Sequence, residues 1–230
     1  MVINYILKLN KSYIIKKQIL IGAPWVFREN KIFDLTPKDF ITFAKVDAKR
    51  KSKRTLVNSL SNIKRALHCQ IDSILFCLGF KNKINDNFPS KIKFLKDINV
   101  ISPEILTKVN KYRNLLEHEY KIPTEMNIND FISVVELFIS ATDRFVVKKE
   151  MGFNIEKKNN PRNIRIKYDE SNQTFSLEFF IAEERKVSPS GTSRGIIVIK
   201  GKSCTFKIEK NDSYFIQILR KYIELIDIHH

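Results

Sequence analysis

Apolar positions recur at two different periods along this chain, and the change of period divides it. Thr36 precedes Pro37, with Asp39 three residues after the Thr, and Phe40, Ile41, Phe43, Ala44 and Val46 follow. A cap, a Pro at the first helical position and an apolar face predict a helix opening at Thr36. Leu56, Leu60, Ile63, Leu67, Ile71, Ile74 and Leu78 then recur at three- and four-residue spacing up to Gly79, which predicts an amphipathic helix. Residues 37–78 read equally as one long helix or as two with a break near residue 50. Ser90 can cap a short helix to about Asn99, and Ser102-Pro103 opens another that must stop before Pro123. A further helix, capped by Asn127 or Asn129, runs to about Lys148. Its Phe131, Ile132, Val134, Val135, Leu137, Phe138 and Ile139 leave almost no polar face, as expected for a helix central in its bundle.

Beyond Gly152 the period shortens. Asn159-Asn160-Pro161 reads as a linker, and β-rich runs follow at Asn163–Tyr168, Thr174–Ile181, Gly195–Lys200 and Cys204–Glu209. Asp169–Gln173, Ser188–Ser193 and Gly201-Lys202 read as turns between them. A last helix spans about Asp212–Ile226. The expected fold class is therefore α+β, a helical bundle followed by a small antiparallel sheet with a C-terminal helix. Its divisions fall at 1–35, 36–150 and 151–230. Within the first, Tyr13–Ile21 alternates loosely, which suits a strand or a helix, before Gly22-Ala23-Pro24 breaks it.

Charge adds a partner class. Lys and Arg number 41 against 25 Asp and Glu, a formal +16, which favours a polyanion because each phosphate neutralised releases a counterion. A coding bias toward Lys, Asn and Ile contributes to the same excess. The densest basic cluster is Lys49, Arg50, Lys51, Lys53 and Arg54; it suits an RNA backbone or a solvated helix face. Three cysteines without a CxxC suggest neither a disulfide scaffold nor a zinc ribbon, and Cys69 and Cys77 read as small core residues in a reducing cytoplasm. Lysines interrupt the apolar N-terminus, so no signal peptide and no membrane span are expected. No HxxxH, P-loop or GxGxxG occurs, so neither a metal nor a cofactor is expected.

The segment KYRNLLEHEY at residues 111–120 carries the candidate chemistry. Arg113, Asn114 and His118 in it resemble the signature of the HEPN superfamily: an Arg, a polar neighbour, then a His a few positions on, late in a helical bundle. IKRALHCQIDSILFCLGF, residues 63–80, is similar to the long helix that pairs with the motif helix in several such families. The resemblance covers residues 37–148. It implies a metal-independent RNA endonuclease, of the toxin or defence-effector kind, that leaves a 2′,3′-cyclic phosphate. His118 would then be acid or base, and Arg113 the phosphate clamp. The alternative is a non-catalytic HEPN module that dimerises and binds RNA or protein.

The residue chemistry agrees with those roles. His exchanges protons near neutral pH, and Arg is a permanent bidentate phosphate ligand. At about 100° per residue, positions 113 and 118 lie roughly 140° apart around a helix, whereas Asn114 and His118 share a face. A site completed across a two-fold homodimer resolves the separation, and HEPN domains resemble this arrangement. Plainer readings exist for each residue. Arg113 and Glu117 at i, i+4 can be a surface ion pair, and His118 can favour a helix C-terminus. Tyr120 completes Arg-x4-His-x-Tyr; in toxins paired with a nucleotidyltransferase antitoxin, a Tyr there accepts nucleotide groups, and otherwise it is an amphipathic cap. An antitoxin or regulatory protein is a further implied partner. His68 and Asp72, one turn apart, can orient the motif pair or make a polar contact at the bundle edge.

Overall fold

The computed structural model describes residues 6, 14–19, 32–80, 87–100, 124–146, 151–156, 162–187 and 197–228. The fold is α+β: a helical region, and an antiparallel sheet whose first strand precedes the helices and whose other four follow them, with a C-terminal helix. In chain order the elements are β1 (Ile14–Ile19), α1 (Pro37–Ala48), α2 (Lys53–Cys77), α3 (Phe88–Asp97), α4 (Glu125–Thr142), β2 (Met151–Glu156), β3 (Arg162–Asp169), β4 (Thr174–Val187), β5 (Ile197–Glu209) and α5 (Phe215–Ile228). The chain divides into two compact units. One is Phe27–Lys148; the other joins Met1–Val26 to Lys149–His229.

In the helical unit, α1 starts where its caps predict. Asp39 N donates to the Thr36 hydroxyl at 3.2 Å, and the Asp39 carboxylate accepts from Thr36 N at 2.8 Å, closing a capping box. Residues 37–78 form two helices. Lys51 takes a positive φ of 55° in the break, and Ser52 then caps α2 through Thr55 N. Two expected caps are corrected. Asn87, not Ser90, caps α3, because Phe88-Pro89 forms its first turn. Thr124, not Asn127 or Asn129, caps α4, accepting from Asn127 N at 3.3 Å. The helix also ends sooner than expected, at Thr142, followed by a 3-10 turn at Asp143–Phe145.

The core of this unit is the long α2 laid against α1 and α4. Ile63, Leu67, Ile71 and Ile74 of α2 and Ile128, Phe131, Val135 and Phe138 of α4 are buried. Between α2 and α4 a polar link crosses that core: Gln70 Nε2 donates to Thr142 Oγ1 at 2.9 Å, and both residues are buried. Salt bridges Lys38–Asp143 and Lys45–Glu136 tie the outer edge of α1 to the α4 side. The expectation that α4, with almost no polar face, is central in its bundle is corrected: Leu137 is 68% exposed and Val134 only half-buried, so α4 presents one face to solvent.

In the second unit the strands follow sequence order, β1-β2-β3-β4-β5, every pair antiparallel. Tyr13–Ile21, open between strand and helix, supplies edge strand β1 over Ile14–Ile19, with Ile15 opposite Ile155. β2 went unforeseen, since the first β-rich run expected is Asn163–Tyr168, yet Phe153 and Ile155 alternate into the core. The turn expected at Gly201-Lys202 is absent. β5 runs straight through, with Gly201 opposite Ala182 beside an irregularity at Ala182/Glu184 in β4. A glycine within a strand fits such a bulge as well as a turn. The readings of 102–123, Asn159–Pro161 and Ser188–Ser193 lie outside the described residues. One sheet face carries Phe153, Ile164, Ile166, Tyr168, Phe175 and Leu177, all buried. Helix α5 packs on it through Phe215 and Tyr222, with ring centroids 5.5 and 5.6 Å from Phe175. The opposite face carries a charge ladder, Arg165 and Lys167 on Glu178 at 2.9 and 3.3 Å.

Candidate functional site

Arg113, Asn114, Glu117, His118 and Tyr120 lie outside the described residues, whereas residues 63–80, expected to form the helix paired with them, overlap α2. That helix, α2, buries one face along its whole length. Residues 54, 61, 65, 68 and 72 fall on the opposite side at about 100° per residue. Arg54, Ser61 and Arg65 are exposed there, and His68 and Asp72 half-buried.

His68 and Asp72 do share a face, and α3 is what they both meet. The His68 ring stacks on Phe88 with centroids 4.6 Å apart and planes 17° off parallel. The Asp72 carboxylate accepts from Lys91 Nζ at 2.8 Å. Phe88 and Lys91 lie one turn apart on α3, matching the one-turn spacing of His68 and Asp72 on α2. Together the two pairs set the register of α3 against α2.

Beside this row lies a groove of about 650 Å³. Its described lining comprises Phe33, Asp34, Leu35 and Phe40 on one side and Ser61, Lys64, Arg65, His68, Cys69 and Asp72 of α2 on the other. Sequence reading reached only His68 and Asp72 of this set. Cys69, taken for a core residue, is half-buried in the groove wall, while Cys77 is buried as expected. Burial pushes the Cys69 thiol up to about 11, opposed by Ser73 and reinforced by Asp72 and Asp39. A thiol so protonated at neutral pH is no nucleophile. Among the described residues no group of three or more His, Cys, Asp and Glu side chains is placed to hold a metal ion.

Lys49, Arg50, Lys51, Lys53 and Arg54 are all exposed, clustered at the α1–α2 break and the start of α2. About 1.5 Å of rise per residue puts Arg54 roughly 20 Å from His68, so the cluster is not within touching distance of the groove's far end. Lys64 and Arg65 lie between. No acidic residue occurs between Asp47 and Asp72, although both Lys–acid pairs of α1 show how readily this unit builds surface ion pairs. That acid-free run was the available sequence signal that Lys64 and Arg65 extend the basic character of α2 beyond Arg54.

No family model, curated protein or solved structure matches this chain. Basic groups lie along the outer side of α2, the groove wall combines aromatic and apolar side chains with Arg65, and no metal-ligating cluster accompanies them among the described residues. Such a surface suits a polyanion with flat apolar parts. No helix among the described residues is long and apolar enough to cross a membrane.

Proposed function

We propose that this chain is a metal-independent RNA endonuclease of HEPN type, acting as a cytoplasmic toxin or defence effector. The observation that carries the reading is RNLLEH at residues 113–118, an Arg and a His joined by a short spacing with Asn114 beside the Arg. The basic residues Lys53, Arg54, Lys64 and Arg65 of α2, the helix that the resemblance pairs with the motif, support an RNA substrate.

The chemistry is transesterification. The 2′-oxygen of one nucleotide attacks the adjoining phosphorus, the bond to the 5′-oxygen breaks, and a 2′,3′-cyclic phosphate and a 5′-hydroxyl result. One proton leaves the 2′-hydroxyl and one arrives at the 5′-oxygen; a His near neutral pH serves either transfer. Arg113 neutralises the phosphorane, whose charge peaks in the transition state. In a homodimer, two copies of the motif supply both proton-transfer groups to one cleft, with Asn114 holding the His118 ring. Seven residues are about two turns of an ideal helix, a spacing at which a modified Tyr120 would crowd the phosphate held by Arg113 and silence the enzyme. An antitoxin or regulatory protein is the corresponding partner.

The test is digestion of total RNA and tRNA in EDTA by the wild type and by Arg113→Ala and His118→Ala. Cutting lost in both variants supports the reading. A folded wild type that cuts nothing, or variants that cut as well as it does, replaces it with a non-catalytic module that dimerises and binds RNA or protein.

A further inference from the structure

The groove beside α2 is open, with Phe33, Leu35 and Phe40 beside Asp34 on one wall and Lys64 and Arg65 beside Asp72 on the other. Leu35 is 43% exposed at its wall, and Phe40 is half-buried there. Across from them stands Arg65, exposed, its guanidinium bonded to Asn62 Oδ1 at 3.3 Å, a neutral partner that leaves its charge uncompensated. The volume of about 650 Å³ is of the size that takes a small organic group. A purely apolar ligand would leave Arg65 with nothing to pair. From its start at Lys53 to Ile71, α2 carries no acidic residue, which favours an entrant attached to a polyanion.

We infer that this groove is a subsite for one unstacked base of single-stranded RNA. Phe40 supplies the ring face, Arg65 stacks on the base or meets its phosphate, and the flanking backbone runs along α2 toward Arg54 and Lys53. The inference rests on the ribonuclease reading for its choice of RNA. A duplex does not fit the same description, because its bases are stacked and paired and present no free face to an aromatic wall. Single strands do, since every base has a π-face. The two carboxylates of the lining do not oppose the assignment. Asp72 is neutralised by Lys91 at 2.8 Å, and Asp34 is exposed, an acceptor for an exocyclic amino group. His68, stacked on Phe88, closes the α3 side of the groove wall as a positioning residue.

The experiment uses the full chain in EDTA, carrying His118→Ala to prevent cleavage, with a labelled RNA oligomer read by anisotropy. The same oligomer is compared single-stranded and annealed to its complement, and a copy containing 2-aminopurine reports base stacking by quenching. The expected result is tighter binding of the single strand, with quenching of the probe base. Phe40→Leu, which keeps apolar bulk and removes the ring, weakens single-strand binding about tenfold and abolishes quenching. Arg65→Gln weakens binding with retained fold, which covers the case in which Phe40→Leu is unstable. Equal binding of duplex and single strand, or quenching unchanged in both variants, overturns the inference. The cleavage assay is separate: a wild type that cuts no RNA but shows this binding pattern removes the ribonuclease reading and leaves the subsite. One that cuts RNA without the pattern does the reverse.

Discussion

Thr142→Val is the substitution whose cost the packing of α2 on α4 defines best. The Thr142 hydroxyl has one hydrogen, donated to the Phe138 carbonyl at 2.7 Å, so toward Gln70 it is an acceptor, at 2.9 Å. Gln70 is 1% exposed and Thr142 2%, so water replaces neither partner. Val keeps the shape and removes the acceptor, leaving a buried amide donor unpaired, which costs about 1–3 kcal/mol. Gln70→Met removes the donor instead. Thr142 then still bonds Phe138, and the loss is only the net value of one hydrogen bond, about 0.5–1.5 kcal/mol. Changing both partners to apolar groups removes the unpaired donor, so the double variant should be more stable than Thr142→Val alone. Urea unfolding followed by helical ellipticity measures this, because four of the five described helices belong to the Phe27–Lys148 unit. With an m-value of about 2 kcal/mol/M, Thr142→Val lowers the midpoint by about 0.5–1.5 M. A shift too small to resolve, or a double variant losing the sum of the single losses, would refute the argument that this bond is a sealed link across the core.

Further expectations follow from burial and charge. Cys204 is exposed and should be alkylated by iodoacetamide at neutral pH well before Cys69, whose thiol is held protonated up to about 11; faster labelling of Cys69 would contradict its place in the groove wall. Burial raises the hydroxyls of Tyr168 and Tyr222 above the ordinary tyrosine range, so each folded-state pKa exceeds its unfolded value. Their contribution to stability is intact below that unfolded value, about 10, and is lost as pH rises from there toward the folded value. The phenolate absorbance of these two residues, taken as the difference between the wild type and the Tyr168→Phe and Tyr222→Phe variants, should therefore rise together with loss of strand structure, and their ionisation in a still-folded sheet would speak against the burial. Lys53→Gln and Arg54→Gln should weaken RNA binding without changing base preference. For every phosphate that a variant no longer neutralises, the slope of log K against log salt should flatten by about 0.7 on a single strand, and an unchanged slope places those residues off the RNA path.

The parts of the fold legible in the sequence are those decided by local chemistry. Thr36, Pro37 and Asp39 state a helix start within four residues, and the structure closes the same capping box. The break before α2 was less legible because Lys51 takes a left-handed conformation that its residue type does not advertise. The caps of α3 and α4 were misplaced because several cap-forming residues lie within a few positions. Which of them acts depends on where the helix first packs. Leu137 looked buried because hydropathy records what a side chain tolerates, and the supply of neighbours is a tertiary matter. Gly201 shows the same limit in the sheet: turn and bulge use one residue type, and only the length of β4 opposite distinguishes them. At the site, the shared face of His68 and Asp72 followed from spacing. Their partners Phe88 and Lys91 did not, since contacts between helices are not encoded in either helix alone.

The central claim is that Arg113 and His118 cut RNA through its own 2′-hydroxyl, and one comparison tests it most directly. A single synthetic RNA and its fully 2′-O-methylated copy are incubated with the wild-type chain in EDTA, and the product ends are weighed by mass spectrometry. The account predicts that the unmodified strand is cut to 2′,3′-cyclic phosphate and 5′-hydroxyl ends and the methylated strand is left whole. Cutting of both strands, or 5′-phosphate ends from either, would contradict it.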